Sequence, residues 1–163
     1  MLAVSNTSPI SNLASIKRLE LLRLQFSVLW IPAGVAQELT AHPDPVTRAM
    51  LQTAMHDQWI RSATAQNSNL LSILLSSLHQ GEAEAIALAT DLKADIVIIG
   101  EQEARQLATQ AGLSVTGVLG VLLRAKRRGQ IRAVRPEIQA LRDTARFFIA
   151  PALEARVLAS AGE

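Results

Sequence analysis

Four glutamates, Glu38, Glu82, Glu84 and Glu101, carry most of the chemistry this sequence offers, with Asn6 as a neutral oxygen donor beside them. Crowded carboxylates repel one another and are ordinarily neutralised by a cation, and hard oxygen donors favour Mg²⁺ or Mn²⁺. A site of that kind activates water and stabilises a phosphodiester leaving group. The same acids also have an ordinary structural explanation. Glu82, Glu84, Glu101 and Glu103 fall in expected first helical turns, where the helix dipole favours negative charge. Asn6 is a competent turn or cap residue, and Glu38 suits a solvated helix face. His42, His56 and His79 show no metal-ligand spacing and no paired nucleophile. The chain has no Cys, which excludes a thiolate nucleophile, a disulfide framework and a zinc ribbon.

The elements that must position these residues alternate short β-branched runs with longer helical stretches. Strands are expected at Leu2–Ser5, Val28–Ile31, Trp59–Ser62, Ile96–Ile99 and Ser114–Thr116. Helices are expected at Pro9–Leu24 with a break near Ser15, then Gly34–Leu39, Pro45–His56, Leu70–Leu78 and Glu82–Leu92. Further helices follow at Glu101–Ala111, Val118–Arg128, Glu137–Ala145 and Ala152–Ala159. Ser8-Pro9 and Gly81 read as helix starts, Gly112 and Gly129 as stops. Ser62–Asn69 reads as the flexible stretch. Alternation of this kind implies a three-layer α/β/α domain with a mostly parallel central sheet. The unbroken apolar run Ile96-Val97-Ile98-Ile99 reads as a strand covered on both faces. In such a sheet ligands bind beyond the C-terminal strand ends, which is where Asn6, Gly100, Glu101, Thr116 and Gly117 fall.

The 163 residues suit a single domain, here residues 1–163. An apolar fraction of 49 % is too high for a disordered chain. The apolar run Ala111–Leu123 contains three glycines and is shorter than the ~20 residues of a membrane span. With no signal-peptide pattern, a cytoplasmic protein without membrane association is expected. Charge is uneven: residues 1–100 hold 6 basic and 8 acidic side chains, residues 101–163 hold 10 and 6. Arg105, Arg124, Lys126, Arg127, Arg128 and Arg132 lie in a stretch without acids, the footprint of a polyanion partner. A helix C-terminus explains Lys126 to Arg128 equally well, but not Arg132. Trp30 and Trp59 sit in apolar stretches and read as core, which disfavours an RNA-binding sheet of the stacking type. Gly117-x-x-Gly120 is no dinucleotide fingerprint and reads as close helix packing.

Three segments resemble a known family. The opening Val4-Ser5-Asn6-Thr7-Ser8-Pro9-Ile10 with Asn12-Leu13-Ala14 resembles the start of PIN-domain proteins, as does Gly81-Glu82-Ala83-Glu84-Ala85-Ile86-Ala87-Leu88-Ala89. Thr116-Gly117-Val118-Leu119-Gly120-Val121-Leu122-Leu123 with Ala125-Lys126-Arg127-Arg128-Gly129 resembles a prokaryotic PIN-like branch of predicted nucleic-acid-binding proteins related to VapC-type toxins. The resemblance spans about residues 2 to 160. It implies a Mg²⁺- or Mn²⁺-dependent endoribonuclease of toxin-antitoxin type that binds RNA, forms a homodimer and is neutralised by a small antitoxin protein. The acidic site of the family falls on Asn6, Glu38, Glu82 with Glu84 adjacent, and Gly100 or Glu101. Asn6 stands where relatives carry an acid, and Gly100-Glu101 where many read Asp-Glu. Those two departures open an alternative, a degenerate PIN module that binds nucleic acid or a partner protein without cutting.

Overall fold

The structure is a computed structural model that describes all 163 residues. From the N-terminus, β1 (Ala3–Ser5) leads into α1 (Thr7–Ser15) and α2 (Glu20–Phe26). β2 (Leu29–Pro32) leads into α3 (Ala33–Thr40) and α4 (Pro45–His56), and β3 (Ile60–Ala63) into α5 (Ser68–Leu75) and α6 (Gln80–Asp91). β4 (Ile96–Ile98) precedes α7 (Gln102–Gln110). β5 (Val115–Thr116) precedes α8 (Val118–Arg127), α9 (Arg135–Ala145) and α10 (Pro151–Ala161). Every strand is thus followed by helix, as parallel neighbours require, because only a long crossover returns the chain to the same edge.

The five strands form one all-parallel sheet in the order β3-β2-β1-β4-β5. Val4 of β1 pairs with Trp30 on one side and Val97 on the other. The chain therefore walks outward from β1 through β2 to β3, then crosses back to β4 on the opposite flank of β1. The connection leaving β1 and the one leaving β4 depart in opposite directions. That opens a crevice above the C-terminal ends of β1 and β4, the position where open α/β sheets bind ligands.

Alternating side chains divide the core. Ala3, Ile96 and Ile98 point into the larger layer, with apolar residues of α1 to α4 and α8 to α10. Val4, Val97 and Ile99 point into the smaller one, formed with α5, α6 and α7. Within the smaller layer α6 is buried at Ala83, Ala85, Ile86, Ala87, Leu88 and Ala89. Its alanines let the helix sit close on the sheet while adding good helix propensity. The first turn of α6 is thereby held over the strand ends.

Several local expectations are corrected. Helix α1 starts after Asn6 rather than at Ser8-Pro9, because Asn6 is extended and Thr7 and Ser8 are already helical. Helix α6 is capped at His79, not Gly81, since Glu82 accepts the His79 N–H at 3.2 Å. The stretch Ser62–Asn69 is pinned: Asp91 accepts the backbone N–H of Gln66 (2.5 Å) and Asn67 (3.3 Å), and Asn67 caps α5. Gly112 and Gly129 do end α7 and α8, with φ of +82° and +69°, a region that favours glycine. Trp59 is in the core and Trp30 is half-buried. No helix is long and apolar enough to cross a membrane.

The C-terminal helices fold back through Val157 and Leu158, while Phe148 stays exposed. The Glu163 carboxylate accepts the Val134 (2.6 Å) and Arg135 (3.3 Å) N–H groups at the start of α9 and lies 3.6 Å from Lys126. These bonds, led by the one from Val134, hold its carboxyl below the usual range. A carboxyl depressed by folding stabilises the native state above its unfolded titration range and loses that contribution as pH falls. Glu163→Ala is therefore expected to lower the thermal midpoint at pH 7, with the gap from the parent closing below about pH 4. A gap constant with pH in thermal unfolding contradicts this.

Candidate active site at the carboxyl ends of the strands

Asn6 closes β1. It is 4 % exposed, and its N–H donates to Ile98 O at 3.4 Å, tying the end of β1 to the end of β4. The Ser5 hydroxyl tightens the same edge, reaching Asn6 O at 3.0 Å and Ile98 O at 3.3 Å. Although Asn6 is the N-cap of α1, its side chain makes no capping bond, and its Oδ1 is buried without a partner. A cap of this kind contributes ~1 kcal/mol, and a buried unsatisfied polar atom costs about 1–3 kcal/mol. The unmade cap bond and the unpaired oxygen are one and the same loss, and it leaves Asn6 Oδ1 free to accept a ligand at the strand ends; Gln25 Oε1 on α2 is the other buried side-chain oxygen without a partner.

Glu82, at the third position of α6, is buried at the same end of the sheet. Burial, then the charge of Glu101, push its carboxyl above the usual range; Glu103 adds to this, and the His79 N–H opposes it. Glu101 is exposed at the N-cap of α7, one residue past Gly100. The structure thus brings Glu82 and Glu101 into electrostatic contact. Glu38, exposed on α3, accepts from the Thr7 hydroxyl in the first turn of α1. Glu84 accepts from Gln80 Nε2 at 2.7 Å and lies over Gly34, where a Cβ would come within 3.0 Å of its Oε2. The expected convergence of Glu38, Glu82, Glu84 and Glu101 on one notch is therefore corrected. No three His, Asp or Glu side chains stand close enough to share one ion. Like charges spread apart, and Glu38 and Glu84 each find a neutral donor nearby.

The basic residues divide as well. Arg105 is half-buried at the ends of β4 and β5, where its Nη1 donates to Ile99 O at 3.0 Å. Arg124 lies on the Phe26 ring, 5.5 Å from its centroid, with Nη1 3.8 Å from the sulfur of Met1. Met1 precedes β1, so this end of α8 stands at the N-terminal edge of the sheet, opposite the glutamates. Lys126 pairs with Glu163, while Arg127, Arg128 and Arg132 are exposed near the same end. The expected basic patch of Arg105 with Arg124 to Arg132 is split, because α8 is ~15 Å long and carries its last turn away from the strand ends where Arg105 lies.

Sequence reasoning missed two pairings. Thr7, one residue past Asn6, holds Glu38, and the strand-end rule that selected Asn6 was the available signal. His42 does have a hydroxyl partner: its Nε2 lies 3.0 Å from Ser11 Oγ. The Asp44 N–H, however, donates to His42 Nδ1 at 3.2 Å. That places the ring proton on Nε2, so His42 donates to Ser11 instead of activating it.

A protein-family model described as a PIN domain matches residues 2–163. The chain belongs to the PIN-domain family. No curated protein matches it significantly. PIN domains are a nuclease-type, nucleic-acid-binding fold and are generally dependent on a divalent metal. The donor chemistry of this PIN domain fits such an ion: an orphaned buried Asn6 Oδ1, and a buried Glu82 carboxyl destabilised by a neighbouring carboxylate. All are hard oxygen donors.

An acid whose pKa is raised by folding binds more protons in the native state, so its ionisation costs stability as pH rises. Glu82→Gln keeps an acceptor for the His79 N–H and removes the charge. It is expected to raise the thermal midpoint at pH 8 and to leave it nearly unchanged at pH 4. Thermal unfolding checks this, and a lower midpoint at pH 8 contradicts the charge balance described.

Proposed function

We propose that this PIN domain is a Mg²⁺- or Mn²⁺-dependent endoribonuclease of toxin-antitoxin type that hydrolyses RNA phosphodiester bonds. The observation that carries the reading is the unpartnered, buried Asn6 Oδ1 at the crevice where Glu82 and Glu101 stand together. Glu82 would hold the ion with Asn6 as the neutral donor and Glu101 adding negative charge beside it, while Glu38 and Glu84, dispersed on the α3 flank, would have to swing in to reach the same ion. When bound, a divalent ion supplies Lewis acidity that makes water a nucleophile at neutral pH and offsets charge on the phosphate. Glu82 and Glu101 supply the negative potential that recruits a cation to this edge. Thr7 orients Glu38, and the α6 cap bond from His79 fixes the Glu82 side chain. Asn6 holds its carbonyl oxygen at the strand end without a competing bond. The reading extends to a small antitoxin partner, a homodimer and a cytoplasmic setting; co-purification and sedimentation address the first two.

A second reading has its own observation. Because Asn6 and Gly100 lack a charge and the carboxylates are dispersed, a module that binds nucleic acid or a partner protein without cutting fits the same fold. The two separate on metal binding and cleavage. The nuclease reading expects Mn²⁺ binding by calorimetry and metal-dependent RNA cleavage that Glu82→Gln abolishes. Asn6→Asp adds a full negative charge at the crevice and is expected to tighten Mn²⁺ binding roughly tenfold or more, given ~4 kcal/mol per close charge pair at an effective dielectric of 20. Absence of Mn²⁺ binding up to millimolar concentration, in the parent and in Asn6→Asp alike, would falsify the site and favour the non-cleaving module.

A further inference from the structure

Arg105 is built into the strand ends in a way that its sequence position does not show. Of the five N–H donors of its guanidinium, one is used, on Ile99 O at 3.0 Å. The ion pairs of the molecule are Arg18 with Glu137, Arg23 with Glu20, Lys126 with Glu163 and Arg142 with Glu154. Arg105 takes part in none. A half-buried, uncompensated guanidinium beside an acidic crevice retains its strongest hydrogen-bonding capacity for an outside anion.

The space for it is made by subtraction. A Cβ on Gly117 would sit 2.9 Å from Arg105 Nη1 and 3.3 Å from Ile99 O. A Cβ on Gly120 would sit 2.2 Å from Thr116 Oγ1. The two glycines of Thr116-Gly117-x-x-Gly120 therefore do different jobs. Gly120 lets the Thr116 hydroxyl tuck against the first turn of α8, and Gly117 opens the slot that the guanidinium fills. The φ of Gly117 is −140°, so no left-handed conformation requires glycine there; the close approaches of the guanidinium and of Ile99 O do.

We propose that Arg105, seated by the missing side chain of Gly117, holds a backbone phosphate of single-stranded RNA next to the Glu82–Glu101 crevice. This deepens the ribonuclease reading and rests on it for the identity of the bound polymer. Ile99 O and the slot over Gly117 fix the guanidinium one strand away from Asn6. The remaining donors are free to meet a phosphate with planar, two-point geometry that a lysine does not reproduce. The basic residues at the far end of α8 have no such access to the crevice.

The test is fluorescence anisotropy with a labelled single-stranded RNA in EDTA, read as the slope of log Kd against log salt. One lost phosphate contact reduces that slope by about 0.7 for a single strand. Arg105→Gln is expected to lose about 0.7 in slope and roughly tenfold in affinity at moderate salt. Arg105→Lys keeps the slope while binding more weakly. Gly117→Ala, whose Cβ displaces only the end of the flexible Arg105 side chain, is expected to keep the slope and to weaken binding less than Arg105→Gln, and the double variant to bind no more weakly than Arg105→Gln. Arg61→Gln, on the edge strand β3, is expected to leave the slope unchanged.

A parent-like slope in Arg105→Gln, additive losses in the double variant, or an equal slope loss in Arg61→Gln each overturn the proposal. The assay contains no metal and reads no cleavage, so the two readings fail separately. An Arg105-dependent slope without Mn²⁺-dependent cutting leaves this proposal standing and removes the nuclease. Cutting with an unchanged slope in Arg105→Gln does the reverse.

Discussion

A parallel sheet delivers all its strand ends to one edge, and in this molecule β1 lies between strands reached by opposite connections. The crevice above β1 and β4 follows from that order alone. Its floor is made by the Asn6 N–H on Ile98 O and by the Ser5 hydroxyl. Its wall is the first turn of α6, pressed close by a run of alanines. Remove that close packing and Glu82 no longer stands within the field of Glu101. The electrostatic tension between these two carboxyls is thus a property of topology before it is a property of side chains.

Each feature of this edge costs local stability. Asn6 leaves its cap bond unmade and its oxygen unpaired. Glu82 is buried next to another acid. Other charged groups are matched: buried Glu137 receives two bonds from Arg18, at 2.7 and 3.0 Å, and Arg142 meets Glu154. Two buried side-chain oxygens lack a partner, Asn6 Oδ1 at the crevice and Gln25 Oε1 where α2 packs on α8, and only the first stands beside the acidic residues. Functional sites are where such local costs are tolerated, because the surrounding core over-determines the backbone.

Much of the fold was legible in the sequence. The β-branched runs mark all five strands, since only a strand covered on both faces reads as Ile96-Val97-Ile98-Ile99. The break between α1 and α2 near Ser15 also appears, with Lys17 in a left-handed turn at φ +59°. Helix starts were less legible, because Ser8-Pro9 and Gly81 carry the right residue types one or two positions inside helices capped by Asn6 and His79. The family was readable from three short segments. Side-chain partners were not: a Thr7 hydroxyl on Glu38 and a Gln80 amide on Glu84 depend on rotamers that no spacing encodes. Nor did the run of basic residues reveal its location, since α8 carries Arg124 back to Met1 while Arg105 stays beside the acids.

The most direct test is a crystal grown with Mn²⁺ and measured at the manganese absorption edge. An anomalous peak in the crevice, at the ~2.0–2.6 Å distances of hard-cation ligation from Asn6 Oδ1 and a Glu82 carboxylate oxygen, is the result expected. A peak confined to other carboxylates on the surface, with Asn6 Oδ1 still unpartnered, contradicts the account.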